Sequence, residues 1–244
     1  LQAVWEELKD HAGLAALGLS ARRALAERCA TRAVSARARQ MPEIYTPRVT
    51  VLERERLAGH VSAWLEKEAE RPPFRVLASE TEQVIRIGSL NLRARADRID
   101  ELPDGSRVIV DYKTGQVNVN AWLEPRPDEP QLPVYAVGNP ERLAGLAFAC
   151  LKPGEMRFAG LAERAGIAVG VSAYGERKNR PADAPDWAAL LRYWQTNLTA
   201  LADEYASGDA RVMPKSEQDC RYCHLSTFCR IHEVGVLDED SDDE

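Results

Sequence analysis

Three residues near the middle of the chain, Asp97, Asp111 and Lys113, have the types and spacing for phosphodiester chemistry. They lie between Leu92 and Gly115, a segment that reads as two strands joined by Pro103-Asp104-Gly105. A three-residue hairpin loop pairs a type I turn with a left-handed last residue, and Gly105 suits that place. Leu102 then faces Ser106, and counting back along both strands sets Asp97 opposite Asp111. Their Cβ atoms would lie about 5 Å apart on one sheet face. Lys113, two residues beyond Asp111, projects from the same face. Opposed carboxylates repel, but a divalent cation between them reverses the sign of the interaction. Mg²⁺ prefers carboxylate and water oxygens and keeps several waters for substrate phosphate to replace. It makes water more acidic and neutralises charge growing on a phosphoryl oxygen. Lys113 would orient the attacking water or steady the developing charge. A two-residue loop at Asp104-Gly105 would instead pair Asp97 with Tyr112 and dissolve this arrangement. Asp100 is a rival ligand that the favoured register points to the opposite face. A D-x-K triplet alone arises by chance, leaving a solvated hairpin as the alternative.

A second group lies near the end, where Cys220, Cys223 and Cys229 have C-x₂-C-x₅-C spacing. Close spacing lets one turn wrap several thiolates around a metal with little loop-closure cost. Three ligands need a fourth. Zinc would take His232 or His224. An iron–sulfur cluster would take four Cys, with Cys29 or Cys150 as the candidate. Cys150 sits in an apolar strand pattern that suits a core residue.

The elements that must position these groups follow from periodicity. Residues 1–70 read as helical: a first helix around Trp5 and Leu8, an Ala-, Leu- and Arg-rich run from Leu14 to Ala38, and apolar residues from Val49 to Leu65 at helical spacing, ended by Arg71-Pro72-Pro73. Short β-branched segments follow: Phe74 to Ala78, Gln83 to Ile87, Leu90 to Ile99 and Arg107 to Tyr112. A helix carrying Gln131 to Tyr135 and a strand around Leu146 to Leu151 come next. Asp186 caps a long helix running to about Ala206, near Gly208. Residues 71–235 thus form one α/β region, and 236–244 an acidic, solvated tail.

At 244 residues, with 45% hydrophobic content, the chain has material for a real core. No membrane-length apolar run or leader is visible, so a cytoplasmic protein is expected. The formal net charge is −6, and six acids lie among the last seven residues, leaving the remainder balanced. Neutrality counts mildly against a domain that holds DNA by its own surface alone. The chain opens on Leu1 and reads as a piece of something longer.

The run from Asp97 through Ile109-Val110-Asp111-Tyr112-Lys113-Thr114-Gly115 resembles the PD-(D/E)xK nucleases, in particular their RecB-like branch. The resemblance spans roughly residues 70–232. It implies a restriction-endonuclease-like mixed sheet flanked by helices, and Mg²⁺- or Mn²⁺-dependent DNA cleavage, with exonuclease action expected. Its Q-x-x-x-Y helix is matched by Gln131 and Tyr135, which share a helix face and would reach DNA backbone or the active site. Glu80 falls near a further acidic metal-site position, with Glu82 as competitor. The C-terminal cysteines are similar to those of AddB-type helicase-nucleases, which implies a structural [4Fe–4S] cluster and helicase-like partner regions. The branch places its metal-site His shortly before a segment like Leu1 to Trp5, outside this sequence, with His11 a weak substitute. The fourth cluster Cys would lie further upstream, with Cys29 as the candidate in this chain. A catalytically impaired DNA-binding scaffold is the alternative function.

Overall fold

The computed structural model describes residues 1–221 and 223–231, in two compact units, one spanning Leu1–Ala202 and one beginning at Asp203. His232 and the acidic tail lie outside the described residues.

The first unit opens with α1 (Gln2–Leu8), α2 (His11–Ala15), α3 (Leu19–Gln40) and α4 (Pro47–Ala69). Caps set their limits. Asp10 Oδ1 accepts the Gly13 N–H at 2.7 Å at the start of α2. Thr46 caps α4, and Pro47 occupies its first turn, where a missing N–H costs nothing. Then come β1 (Arg75–Ile87), β2 (Leu90–Glu101), β3 (Arg107–Lys113), α5 (Gln131–Gly138), β4 (Leu143–Cys150), β5 (Arg157–Ala162), β6 (Val171–Ala173) and α6 (Trp187–Ala206). Asp186 caps α6 by accepting the Ala189 N–H at 2.8 Å.

The six strands form one mixed sheet in sequence order. β1–β2–β3 and β4–β5 pair antiparallel, whereas β3–β4 and β5–β6 pair parallel. A parallel pair needs a crossover, and the connection carrying α5 supplies it between β3 and β4. Period-2 alternation divides the sheet between two cores. On one face Ile109, Leu146 and Phe148 pack with Trp122, Leu132, Trp187 and Trp194. On the other, Val108, Val110 and Ala149 pack with Trp5, Leu14, Trp64 and Leu65. Every residue of β4 is buried, as expected of a central strand covered on both sides. This is the helix-flanked mixed sheet expected from the sequence.

Two details differ from the sequence reading. The segments expected as separate strands at Phe74–Ala78 and Gln83–Ile87 are one strand, continuous through Glu80, whose φ of 51° bends it without ending it. β5 and β6 were not anticipated. In β5 a Cβ at Gly160 would meet the Leu146 carbonyl oxygen at 2.1 Å, so the glycine reflects close strand approach rather than a turn.

The second unit holds α7 (Glu217–Cys220) and α8 (Ser226–Cys229).

Candidate active site

The β2–β3 hairpin has the three-residue loop. The Leu102 N–H donates to Ser106 O at 2.8 Å, and Gly105, with φ of 78°, donates to Leu102 O. The register runs from Glu101↔Arg107 to Arg98↔Val110 and then stops, one pair short of Asp97 and Asp111. There the Asp97 carboxylate turns inward and accepts the backbone N–H of Tyr112 at 2.8 Å. On its other side Asp97 faces Glu80, which lies between the pairs Ser79↔Arg98 and Thr81↔Ala96 of the β1–β2 ladder. Three acids thus occupy adjacent strands where pairing is interrupted. The left-handed φ of Glu80 marks the same irregularity from the β1 side.

Asp111 is only 1% exposed. Neither of its oxygens receives a well-directed hydrogen bond, although Lys113 Nζ lies 2.8 Å from Oδ2. Burial raises its carboxyl above the ordinary aspartate range; the contact with Lys113 opposes the shift, and the charge of Asp97 adds to it. A buried carboxylate lacking directed donors is costly in an ordinary sheet, and its oxygens remain open to a cation.

Lys113 is itself held. Its Nζ donates to Gln131 Oε1 at 2.9 Å, Gln131 Nε2 donates to Tyr135 OH at 3.1 Å, and Tyr135 OH donates to Arg95 O at 2.6 Å. One turn of α5 separates Gln131 from Tyr135, so a single helix face carries both and braces the lysine against β2. Glu80 pairs with Arg95 at 3.1 Å. The structure therefore joins Lys113, Gln131 and Tyr135 in one chain of hydrogen bonds, and the ion pair of Lys113 links that chain to Asp111.

Asp97 and Glu80 also line a cleft of about 330 Å³, walled by Trp5 of α1 and by Leu57, His60 and Val61 of α4. His60 carried no motif signal of its own in the sequence, and His11 was the histidine expected nearest the site. His11 is occupied elsewhere: its Nε2 lies 3.3 Å from Ala69 O and its ring packs on Phe74. His60 Nδ1 lies 2.8 Å from Arg56 O. A carbonyl can only accept, so Nδ1 is the donor there and Nε2 is the nitrogen left to face another partner. Its only signal in the sequence was a place one turn from Leu57 and Trp64 on a cleft-facing stripe.

Asp100 faces away. It accepts Arg71 Nη1 at 2.8 Å in a fully buried ion cluster on the opposite sheet face. Among the described residues, no three His, Cys, Asp or Glu side chains converge as a ready metal cage. Mg²⁺ does not require one, because it binds through one or two carboxylates and retains waters, and the carboxylates of Asp97 and Asp111 suit it in type.

In the second unit the Cys223 N–H donates to Cys220 O at 3.1 Å, and the Leu225 N–H points at Cys223 Sγ at 3.4 Å. Cys150 is buried in β4, as its apolar surroundings suggested. Cys29 is also buried, and burial together with Glu7 pushes its thiol up. Among the described residues of the second unit, Cys220, Cys223 and Cys229 do not converge into a group that could hold a metal ion.

A mixed sheet in which β2–β3 pairing stops short of an acid on each strand, with a lysine two residues beyond the second, defines a nuclease-type α/β domain. The sequence model of the PD-(D/E)XK nuclease superfamily matches residues 3–230, and the chain belongs to that superfamily. No curated protein matches the chain. No helix among the described residues is long and apolar enough to cross a membrane.

Proposed function

We propose that this domain is a Mg²⁺- or Mn²⁺-dependent deoxyribonuclease, of the RecB-like branch, acting as an exonuclease within a DNA-repair helicase-nuclease. The observation that carries this reading is the buried Asp111 carboxylate, without directed donors, beside Lys113 and across the strand fork from Asp97.

Asp97 and Asp111 would hold the ion, with Glu80 and His60 as further donors in reach of the cleft. When bound, it supplies a Lewis acid that favours hydroxide formation and offsets charge growing on phosphate. The chain's own groups do the rest. Lys113, fixed by Gln131 and Tyr135, is poised to orient the attacking water and to stabilise negative charge in the transition state. Its bracing by α5 limits the reorganisation needed at the moment of attack. The apolar wall of Trp5, Leu57 and Val61 restricts water on one side. Binding through phosphates rather than base edges gives weak sequence preference.

Cys220, Cys223 and Cys229 are proposed as ligands of a structural [4Fe–4S] cluster, supported by their spacing and by the N–H directed at Cys223 Sγ. A second reading, a DNA-binding scaffold with impaired catalysis, is favoured by one observation: no three metal-ligating side chains converge among the described residues.

Incubation with linear DNA and Mg²⁺ or Mn²⁺ separates the two. The nuclease reading expects degradation by the natural protein and none by Asp111→Ala. Activity surviving that substitution removes Asp111 from the mechanism, and DNA retention without cleavage favours the scaffold.

A further inference from the structure

Directly behind the candidate metal site lies a buried ion cluster that the chemistry above does not use. Glu68 of α4, Arg71 just after it, and Arg98 and Asp100 of β2 are all at most 4% exposed. Arg98 is the hub. Its Nη1 donates to Glu68 Oε1 at 2.7 Å and to Tyr112 OH at 2.8 Å. Its Nη2 donates to Asp100 Oδ2 at 3.0 Å, and its guanidinium lies 4.6 Å from the centre of a Trp5 ring. Trp5 Nε1 also donates to Tyr112 OH at 3.1 Å, and Trp64 Nε1 to Glu68 Oε1 at 3.0 Å. Burial works against ionisation of Glu68, but Arg98 and Arg71 outweigh it and hold the carboxyl below its usual range.

The members have a specific relation to the site. Arg98 follows Asp97, and Tyr112 follows Asp111, so strand alternation places each on the sheet face behind its acidic neighbour. Glu68 is two turns along α4 from His60. The Tyr112 backbone donates to the Asp97 carboxylate while its hydroxyl is held by Arg98 and Trp5. One guanidinium therefore fixes, relative to one another, the three elements that carry the candidate ligands. Buried ion clusters are seldom more stabilising than apolar residues of equal volume, so stability alone does not account for one here. Planar, multidentate arginine contacts do specify geometry.

We infer that Arg98, with Glu68 and the Tyr112 hydroxyl, is a positioning device that sets the spacing of α4, β2 and β3 so that their ligands can meet one divalent ion. This rests on the nuclease reading and extends it to residues that are not themselves proposed ligands.

The test measures Mn²⁺ affinity of the full chain by electron paramagnetic resonance, beside thermal unfolding. Glu68→Gln with Arg98→Met removes one charge of each sign and leaves the neutral Arg71–Asp100 pair. The expected result is a folded protein with melting temperature near the natural one and a Mn²⁺ dissociation constant raised about tenfold or more. Leu14→Ala, in the same core but away from the site, should lower the melting temperature and leave the constant unchanged. If the double variant does not fold, Tyr112→Phe decides, with a smaller shift in the same direction. A folded double variant, or Tyr112→Phe, that binds Mn²⁺ as tightly as the natural protein overturns the inference. Natural protein that neither binds Mn²⁺ nor cleaves DNA overturns the nuclease reading instead, and this inference with it.

Discussion

The Asp97 carboxylate accepts the backbone N–H of Tyr112 at 2.8 Å, immediately beyond the last rung of the β2–β3 ladder at Arg98 and Val110. A side chain thus satisfies a donor that strand pairing has abandoned, and the same contact brings an acid to the fork between the strands. Structure and chemistry separate under substitution. Asp97→Asn keeps an acceptor for Tyr112 and removes the charge, so stability should change by less than about 1 kcal/mol while cleavage falls on the order of a hundredfold. Asp97→Ala leaves the N–H unpaired and should cost a further ~1–3 kcal/mol in urea unfolding. Equal stability of the two variants would show that the contact carries no weight.

Asp111 should act against the fold. Its carboxyl is raised above the usual range, first by burial, so between the unfolded and folded values the native state binds the extra proton. Stability then falls as pH rises through that window, and the loss persists at neutral pH. Asp111→Asn should therefore raise the melting temperature at neutral pH, with the gain vanishing in acid below the ordinary aspartate range. A melting temperature lowered by Asp111→Asn at neutral pH would contradict this sign.

Lys113 is only as well placed as Gln131 and Tyr135 make it. Gln131→Ala releases the ammonium from its 2.9 Å contact, and Tyr135→Phe loosens Gln131 by removing the hydroxyl that also reaches Arg95 O. Each should lower kcat on the order of tenfold, about 1.4 kcal/mol, with KM for DNA little changed. A rise in KM at constant kcat would assign the pair to DNA binding instead.

The cysteine assignment is decided by metal content. Protein purified without oxygen should be brown and hold iron and acid-labile sulfide, and Cys223→Ser should lose both. A colourless preparation with stoichiometric zinc rejects the iron–sulfur assignment.

The hairpin was readable in advance because its determinants are local. Pro103-Asp104-Gly105 sets the loop, the loop sets the register, and the register places Asp97 and Asp111 at the same end of the pair. Gln131 and Tyr135 were visible through helical spacing combined with the family resemblance. His60 was not, because a histidine on a long helix announces no role until the packing of α4 on the sheet turns that stripe toward Asp97. The inward turn of the Asp97 carboxylate was equally hidden, since it follows from where pairing stops rather than from residue type. Arg98 and Asp100 carry no mark of their burial in the strand pattern, yet both are fully buried, matched by Glu68 and Arg71 some thirty residues away in sequence. The sites of β5 and β6 were masked by glycine and alanine, whose small size serves close strand contact here and signals turns elsewhere.

The central claim is that Asp97 and Asp111 share one divalent ion. Counting Mn²⁺ bound per chain, for the natural protein and for Asp97→Asn combined with Asp111→Asn, tests it most directly. The natural protein should bind Mn²⁺ specifically, with affinity weakened at least about a hundredfold in the double variant. A double variant that binds Mn²⁺ with undiminished affinity, or natural protein that degrades DNA in excess chelator, would contradict it.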